Sequence, residues 1–181
     1  MTGVVVVFLF VASLALALHR NASHPGSLAR NLQSKDPDKR EKARQALALA
    51  GSPAVPALIE VLNTSLELGA RQDAAALMGL AGDRRAVGAL VTALGDPSPR
   101  VGLEAAASLI RIGDPAAVPA LLGHLKASQD DTLAGEIAGM YCLSQKDGLK
   151  EAGEAWLKAR GREVPGTPRE GGITWGNSAG R

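Results

Sequence analysis

The sequence predicts an all-α protein, an α/α superhelix (solenoid) of about four helical pairs with a C-terminal capping helix. Three related stretches carry this prediction: GSPAVPALIEVL from Gly51, GDRRAVGALVTAL from Gly82 and GDPAAVPALLGHL from Gly113. They recur about every 31 residues, a period that is typical of stacked supersecondary units. Aromatic residues make up only 3% of the chain and alanine runs recur, a composition that favours closely packed helices over strands.

The first twenty residues differ from everything that follows. Val4 to Leu18 is an uncharged apolar run, at the lower edge of the roughly 17 to 25 residues that span a bilayer as a helix. Ala15-Leu16-Ala17 also fits the small-x-small pattern of a signal-peptide cleavage site. We therefore expect residues 1–20 to be a single-pass membrane anchor or a signal peptide. If the segment is retained, Arg20 and Arg30 predict cytoplasmic repeats, and cleavage near Ala17 would instead mean export.

Helical pairs are predicted for residues 27–145, after a linker at 21–26. Asp36 is placed to cap a helix that begins at Pro37. In each unit the second helix has small and apolar residues at i, i+3, i+4 and i+7, which lie on one buried face. These positions are Ala43, Ala46, Leu47 and Ala50, then Ala74, Leu77, Met78 and Ala81, then Ala105, Ser108, Leu109 and Ile112. We expect Leu47, Leu77, Met78 and Leu109 to be core residues.

The turns between helices follow the same period. Gly51, Gly82 and Gly113 directly follow the buried face of each second helix, where a left-handed C-terminal cap favours glycine. Ser52-Pro53 and Asp114-Pro115 are then suited to cap the next helix and to fill its first turn. The turn chemistry therefore agrees with the helical periodicity.

The C-terminal part of the chain is less regular. A degenerate fourth unit ends near residue 145, and residues 146–160 predict an amphipathic helix that covers the open end of the solenoid. Residues 161–181 are dense in Gly and Pro without apolar periodicity, which predicts a disordered tail.

The repeats resemble the HEAT repeat superfamily, and specifically the short HEAT-like repeats of the phycobilin lyase type. The resemblance covers residues 27–145 and rests on first helices of the GDPAAVPALLGHL type and second helices such as DPDKREKARQAL. Arg40 and Arg71 stand where the family commonly has an arginine, and Gly102 replaces it in the third unit. The resemblance implies a superhelix with a binding surface. It implies no particular activity, because family members include scaffolds, lyases and nucleic-acid enzymes.

Several kinds of chemistry have no matching pattern. Residues 51–145 carry six Lys/Arg against ten Asp/Glu, whereas capture of nucleic acid needs a basic face, so we expect no nucleic-acid partner. His19, His24 and His124 form no set with metal-ligand or catalytic spacing. We therefore expect no cofactor, no metal site and no catalytic residue. Cys142, the single cysteine, is expected to be a small buried apolar residue.

Two functional hypotheses remain. The first is a membrane-tethered protein–protein interaction scaffold without catalytic activity of its own, which binds a protein partner along one face. The second is a lyase-like enzyme or enzyme subunit that binds a small ligand in the concave groove, so whether the protein is an enzyme stays open. An apolar groove of about 300 Å³ would favour the lyase, and a flat polar surface the scaffold. The candidate partner contacts are Arg40, Arg44, Arg71 and Arg100.

Overall fold

A computed structural model of the 181-residue chain describes residues 24–127, 131–144 and 148–165. These residues form nine α-helices and no strand, which confirms the all-α prediction. The helices are α1 (Pro25–Asn31), α2 (Pro37–Ala50), α3 (Val55–Thr64), α4 (Leu68–Ala81), α5 (Val87–Ala93), α6 (Pro99–Ile112), α7 (Val118–Ala127), α8 (Asp131–Leu143) and α9 (Leu149–Ala159). Short 3-10 turns precede three of them, at Ser52–Ala54, Arg84–Ala86 and Pro115–Ala117.

The chain divides into two compact units, residues 1–128 and 129–181. In the first unit α1, α3 and α5 are first helices, and each packs against the second helix that follows it, α2, α4 or α6. The second helices also lie side by side, and α4 and α6 pack much more closely than α2 and α4. This stack of helical pairs is the predicted α/α solenoid. In the second unit α8 packs against α9.

The predicted face of the second helices forms the core. Leu47, Leu77, Met78 and Leu109 are at most 3% exposed. Ser108 is the one polar member of this face, and its buried hydroxyl donates a hydrogen bond of 2.9 Å to the carbonyl oxygen of Ala75 on α4. The i, i+3, i+4, i+7 pattern therefore identified the register of these helices correctly.

A glycine lets α4 and α6 approach each other this closely. A methyl group at Gly79 would overlap the side chain of Ser108 and lie 2.9 Å from its Cα atom. The two backbones therefore meet where only a hydrogen atom fits between Gly79 and α6.

The joints between units were predicted in part. Gly82 and Gly113 adopt the predicted left-handed conformation, with φ angles of 64° and 69°. Gly51 also has a positive φ, 61°, but its ψ of −134° lies outside the left-handed region, so the predicted cap is wrong there. Asp114 accepts the backbone N–H of Ala116, but it caps a 3-10 turn rather than an α-helix. Ser52 lies inside its 3-10 turn and caps nothing with its side chain, so its predicted capping role is wrong.

The two ends of the chain lie largely outside the described residues. The predicted anchor or signal peptide, residues 1–20, is among the residues not described. Helix α1 begins at Pro25, inside the predicted linker. After α9, the N–H of Arg162 bonds the carbonyl oxygen of Leu157, and Val164 is buried, so residues 161–165 fold back on their own unit. The coverage of the solenoid end by residues 146–160 stays a prediction.

Among the described residues, no single helix is both long enough and apolar enough to cross a bilayer. One pair of segments, Pro37–Ala50 and Ser52–Thr64, reaches the required length and hydropathy when taken together, and the two are bent by 117°.

Candidate functional site

A groove opens between the N-terminal halves of α2 and α4. Its volume is about 520 Å³, within the range of small-molecule sites. The groove exceeds the volume expected of a lyase pocket, but its lining is mostly polar rather than apolar. The residues that line it are Pro37, Asp38, Arg40, Glu41, Arg44, Gly69, Gln72 and Asp73. Two of the four predicted contact residues, Arg40 and Arg44, therefore lie in one groove.

The groove has a cause in the sequence. Arg44 stands one repeat before Ala75 and two repeats before Ala106, and both alanines are fully buried. Ala75 lies where α4 meets α6, since its carbonyl oxygen accepts the hydroxyl of Ser108. A long charged side chain at this position does not allow the close packing that alanine allows. Arg44 is exposed and forms an ion pair of 2.8 Å with Glu41. The first two second helices consequently remain apart where the next two close.

Arg71 has a structural partner inside the chain. Its guanidinium donates two hydrogen bonds to the carboxylate of Asp96, at 2.9 and 3.0 Å, and a third of 3.1 Å to the carbonyl oxygen of Ser65. The side chains of Arg71 and Asp96 are only 17% and 9% exposed. Arg71 therefore links the start of α4 to the turn before α6. Its guanidinium is largely buried, in contrast to its prediction as a residue that contacts a partner.

Arg40 occupies the same repeat position but lacks such a partner. Three side chains that stand one repeat apart, Ser34, Ser65 and Asp96, each accept the backbone N–H two positions later, at 3.2, 3.2 and 2.8 Å. Ser65 is therefore the counterpart of Asp96 one repeat earlier, and it has no carboxylate to offer to Arg40. Within the described residues Arg40 has no hydrogen bond or ion pair, and it is exposed at the groove.

In the third unit, Gly102 occupies the repeat position of Arg40 and Arg71. A methyl group at Gly102 would lie 3.0 Å from the carbonyl oxygen of Leu94, so α6 approaches the end of α5 where the earlier units have an arginine. The arginine row thus stops after Arg71. Arg100 lies exposed at the start of α6 and does not line the groove.

Asp73 is the second group in the groove without a bonded partner. It is half-buried on α4, and it accepts no hydrogen bond from a described residue. Burial raises the pKa of Asp73, while the positive charges of Arg44 and Arg40 oppose this rise. The pKa of Glu41, by contrast, is lowered by hydrogen bonds from Gln45 and Arg44. Glu41 thus forms an ion pair with Arg44, while Arg40 and Asp73 interact with each other electrostatically but without a hydrogen bond.

Asp73 was not predicted from the sequence as a site residue, because the alanines that directly follow it indicate only a closely packed helix. A signal for the site was nevertheless present. Aligning Ser34, Ser65 and Asp96 at the repeat period reveals that Arg71 has an acidic partner and Arg40 does not.

Two other hollows in the described residues are smaller than the groove between α2 and α4. In the second unit, a hollow of about 370 Å³ lies beside Gly135 and Arg162, and Arg162 has interaction partners of its own. A hollow of about 200 Å³ between α1 and α3 includes Arg30, which already donates to the carbonyl oxygen of Gly26. In residues 24–127, 131–144 and 148–165, no three His, Cys, Asp or Glu side chains gather as metal ligands.

Comparison with known proteins agrees with this architecture. Residues 67–140 match the family model of HEAT repeats. Residues 67–140 therefore contain HEAT repeats, in agreement with the resemblance seen in the sequence. The chain is similar to a solved structure, the complex of CpcE and CpcF of phycocyanin lyase from Nostoc sp. PCC7120, with a TM-score of 0.50 and 26% identity. The match covers 74% of this chain and 63% of that one, so this chain spans less than two thirds of the similar chain. No curated protein matches the sequence.

These findings correct the first functional hypothesis. A membrane-tethered scaffold without catalytic activity was expected, but the similar structure is a lyase subunit, which agrees with the alternative hypothesis. That lyase is a complex of two proteins, so the expectation of a protein partner fits it while membrane tethering finds no support.

Proposed function

We propose that this HEAT-repeat protein is a subunit of a lyase-like enzyme and holds a small ligand in the groove between α2 and α4. The observation that carries the proposal is a groove of about 520 Å³ that contains two opposite charges, Arg40 and Asp73, neither of which has a hydrogen-bond partner among the described residues. The similarity to phycocyanin lyase supports a lyase rather than another small-ligand enzyme.

A lyase reaction requires a group in the groove that can exchange protons with the ligand. A lyase adds a group across a double bond, or removes one to form it, so protons must be given up and taken back at the ligand. A carboxyl group whose pKa is raised by burial is suited to this exchange, because its pKa moves toward neutral pH. Asp73 is the group in the groove with this property. Arg40 supplies a fixed positive charge that orients an anionic ligand.

A second protein chain belongs to the proposal. The similar lyase is a complex of CpcE and CpcF, and stacked helical pairs present extended surfaces to a partner. Arg100 remains a candidate for this partner contact, since it is exposed and lies outside the groove.

Affinity capture followed by an activity assay tests the function. The full-length chain, expressed in its own host, is purified with any bound protein and mixed with a phycobilin and apo-phycocyanin. We expect a complex with a second chain, and a coloured adduct that stays with the acceptor protein on a denaturing gel. Asp73→Asn should reduce the rate of adduct formation by about ten- to a hundredfold or more, as loss of an acid–base group does. A captured complex that forms no adduct and leaves the absorption spectrum of the phycobilin unchanged would contradict the proposal.

A further inference from the structure

The chain reverses its direction after α9 with a defined geometry. The N–H of Arg162 donates to the carbonyl oxygen of Leu157 at 2.9 Å, and the N–H of Gly161 donates to that of Lys158 at 3.1 Å. Gly161 has a φ of 64°, in the left-handed region that favours glycine. These two bonds and this φ are the Schellman motif that reverses a chain at the end of a helix. Residues 162–165, which we call the C-terminal strap, therefore leave α9 in a fixed direction.

The C-terminal strap lies on a face of α8 that carries two glycines. Gly135 and Gly139 are four residues apart and so share one side of the helix. A methyl group at Gly135 would overlap the guanidinium of Arg162, and one at Gly139 would lie 3.8 Å from Cγ of Pro165. Val164, between Arg162 and Pro165 in the strap, is buried. The lack of side chains at 135 and 139 thus makes room for a segment with a cationic, a branched apolar and a proline residue in this order.

The strap fills this face only in part. A hollow of about 370 Å³ remains beside it, and its lining is mostly apolar and includes Leu157 of α9. Glu136 of α8 lines the same hollow as Arg162, so a negative charge lies on the face that receives the cation. Three of the four strap residues are exposed, and only Val164 is buried. A longer segment that also fills the hollow would therefore bury more apolar surface than the strap does, and would displace it.

We propose that the C-terminal strap is an autoinhibitory contact, which occupies a groove of α8 and α9 that binds an extended segment of a partner protein. The partner segment has the chemistry of the strap: a cationic residue that takes the place of Arg162 over Gly135, followed by a branched apolar residue at the place of Val164 and a proline. The inference is independent of the lyase-like function, because every residue that it uses lies in the second unit.

Gly135→Ala separates the seating of the strap from the stability of the helix. The added methyl group meets only the end of a flexible arginine side chain, and alanine favours a helix over glycine. We expect the full-length variant to unfold at the same urea concentration as the wild type or a higher one. Trypsin should nevertheless cleave after Arg162 about tenfold faster, because cleavage follows local opening. Gly123→Ala is the matched control, since a methyl group there meets nothing within 4 Å, and it should leave the cleavage rate unchanged.

A labelled peptide with the sequence of residues 161–168, GREVPGTP, tests the groove by fluorescence anisotropy. In the wild type the tethered strap competes at an effective concentration on the millimolar scale. In full-length Val164→Asp or Arg162→Ala the strap is weakened and the groove is intact. We expect both variants to bind the peptide at least about tenfold more tightly than the wild type does.

The groove itself is tested in the same background. Adding Gly135→Ala to Val164→Asp should weaken peptide binding by about tenfold, because the methyl group takes the place of the peptide's guanidinium. Adding Gly123→Ala instead should leave it unchanged. A peptide with alanine in place of its arginine should also bind about tenfold more weakly.

Absence of peptide binding to both strap variants would overturn the proposal and leave the strap a structural element of the second unit. Equal peptide affinity of the wild type and the strap variants would overturn it as well, because the strap would then not compete for the groove. So would a cleavage rate after Arg162 that is the same in Gly135→Ala as in the wild type.

Discussion

At the scale of single residues, the spacing of charges decides which arginines are structural. Arg71 and Asp96 form a pair that is largely shielded from solvent, and it joins two repeats. Burial raises the pKa of Asp96, but hydrogen bonds from Arg71 and from the N–H of Ser98 outweigh this effect, so the pKa lies below its usual range. The same residue type at position 40 has no such role, because one acidic side chain is missing at position 65.

Replacement of Asp96 by alanine should destabilise the protein by about 2 to 3 kcal/mol, because it leaves Arg71 largely buried without its counter-charge. A carboxyl with a lowered pKa stabilises the folded state above its unfolded pKa, near 3.8, and this contribution is lost as the pH falls through the lower folded value. Urea unfolding at pH 7 and at pH 3 measures both effects. The difference between wild type and variant should shrink at pH 3, and an unchanged difference would contradict the pairing.

His124 gives a pH dependence of its own at higher pH. It follows the positions of Val61 and Ala93 in the repeat, and its buried Nε2 atom has no hydrogen-bond partner among the described residues. Burial lowers the pKa of His124 below 6.5. As the pH falls, His124 therefore takes up its proton at a higher pH in the unfolded chain than in the folded protein, and this protonation favours unfolding. The free energy of unfolding should decrease as the pH falls below about 6.5, by less than about 1.4 kcal/mol per pH unit.

His124→Val restores the residue type of position 61 and removes both the unsatisfied nitrogen and the titration. We expect the variant to unfold at a higher urea concentration than the wild type, with the larger gain at pH 5.5 than at pH 8. A gain of the same size at both values would mean that His124 does not titrate differently on folding.

At the scale of helices, the packing of α4 against α6 depends on a single glycine. Gly79→Ala would force its methyl group into Ser108 and should destabilise the protein by about 1 to 3 kcal/mol, as overpacking of a core does. Gly88→Ala is the matched control, since a methyl group there meets nothing within 4 Å. The control should be neutral or stabilising by up to about 1 kcal/mol, because alanine favours a helix over glycine. Equal effects of the two changes on the urea midpoint would contradict the close approach.

The helices themselves were predictable from the sequence, because each depends on near neighbours along the chain. The buried positions of Leu47, Met78 and Leu109 and the glycines at 51, 82 and 113 follow from this local periodicity. The groove was not predictable in the same way. The groove depends on how Arg44 of α2 faces α4, and on the pairing of Arg71 with Asp96 of the next repeat. Both are contacts between repeats, which the periodicity within one helix does not reveal. The 3-10 turns were missed because Ser-Pro and Asp-Pro begin such a turn as readily as an α-helix.

At the scale of the whole molecule, the repeat unit explains both the fold and the groove. Each helical pair buries its apolar face against its neighbours. The groove forms between α2 and α4, where Arg44 stands at the repeat position that is alanine in α4 and α6. The second unit has an equally close contact of its own, since a methyl group at Gly153 of α9 would lie 2.5 Å from the carbonyl oxygen of Ala138 on α8.

The location of the protein depends on residues 1–20, which lie outside the described residues. The sequence leaves a retained anchor and a cleaved signal peptide open. If the segment is retained, the full-length protein should pellet with membranes and resist alkaline carbonate, and its intact mass should include the segment. A mature chain that begins at Leu18 by mass spectrometry would contradict retention and indicate export.

Hydrogen exchange measured by mass spectrometry, with and without a phycobilin, tests the central claim most directly because it locates the ligand on the fold. The account predicts slower exchange in the N-terminal halves of α2 and α4, around residues 37–44 and 69–73, and unchanged exchange in α5. The protection should disappear in Arg40→Ala. Protection confined to other helices, or the same protection in Arg40→Ala as in the wild type, would contradict a ligand site in this groove.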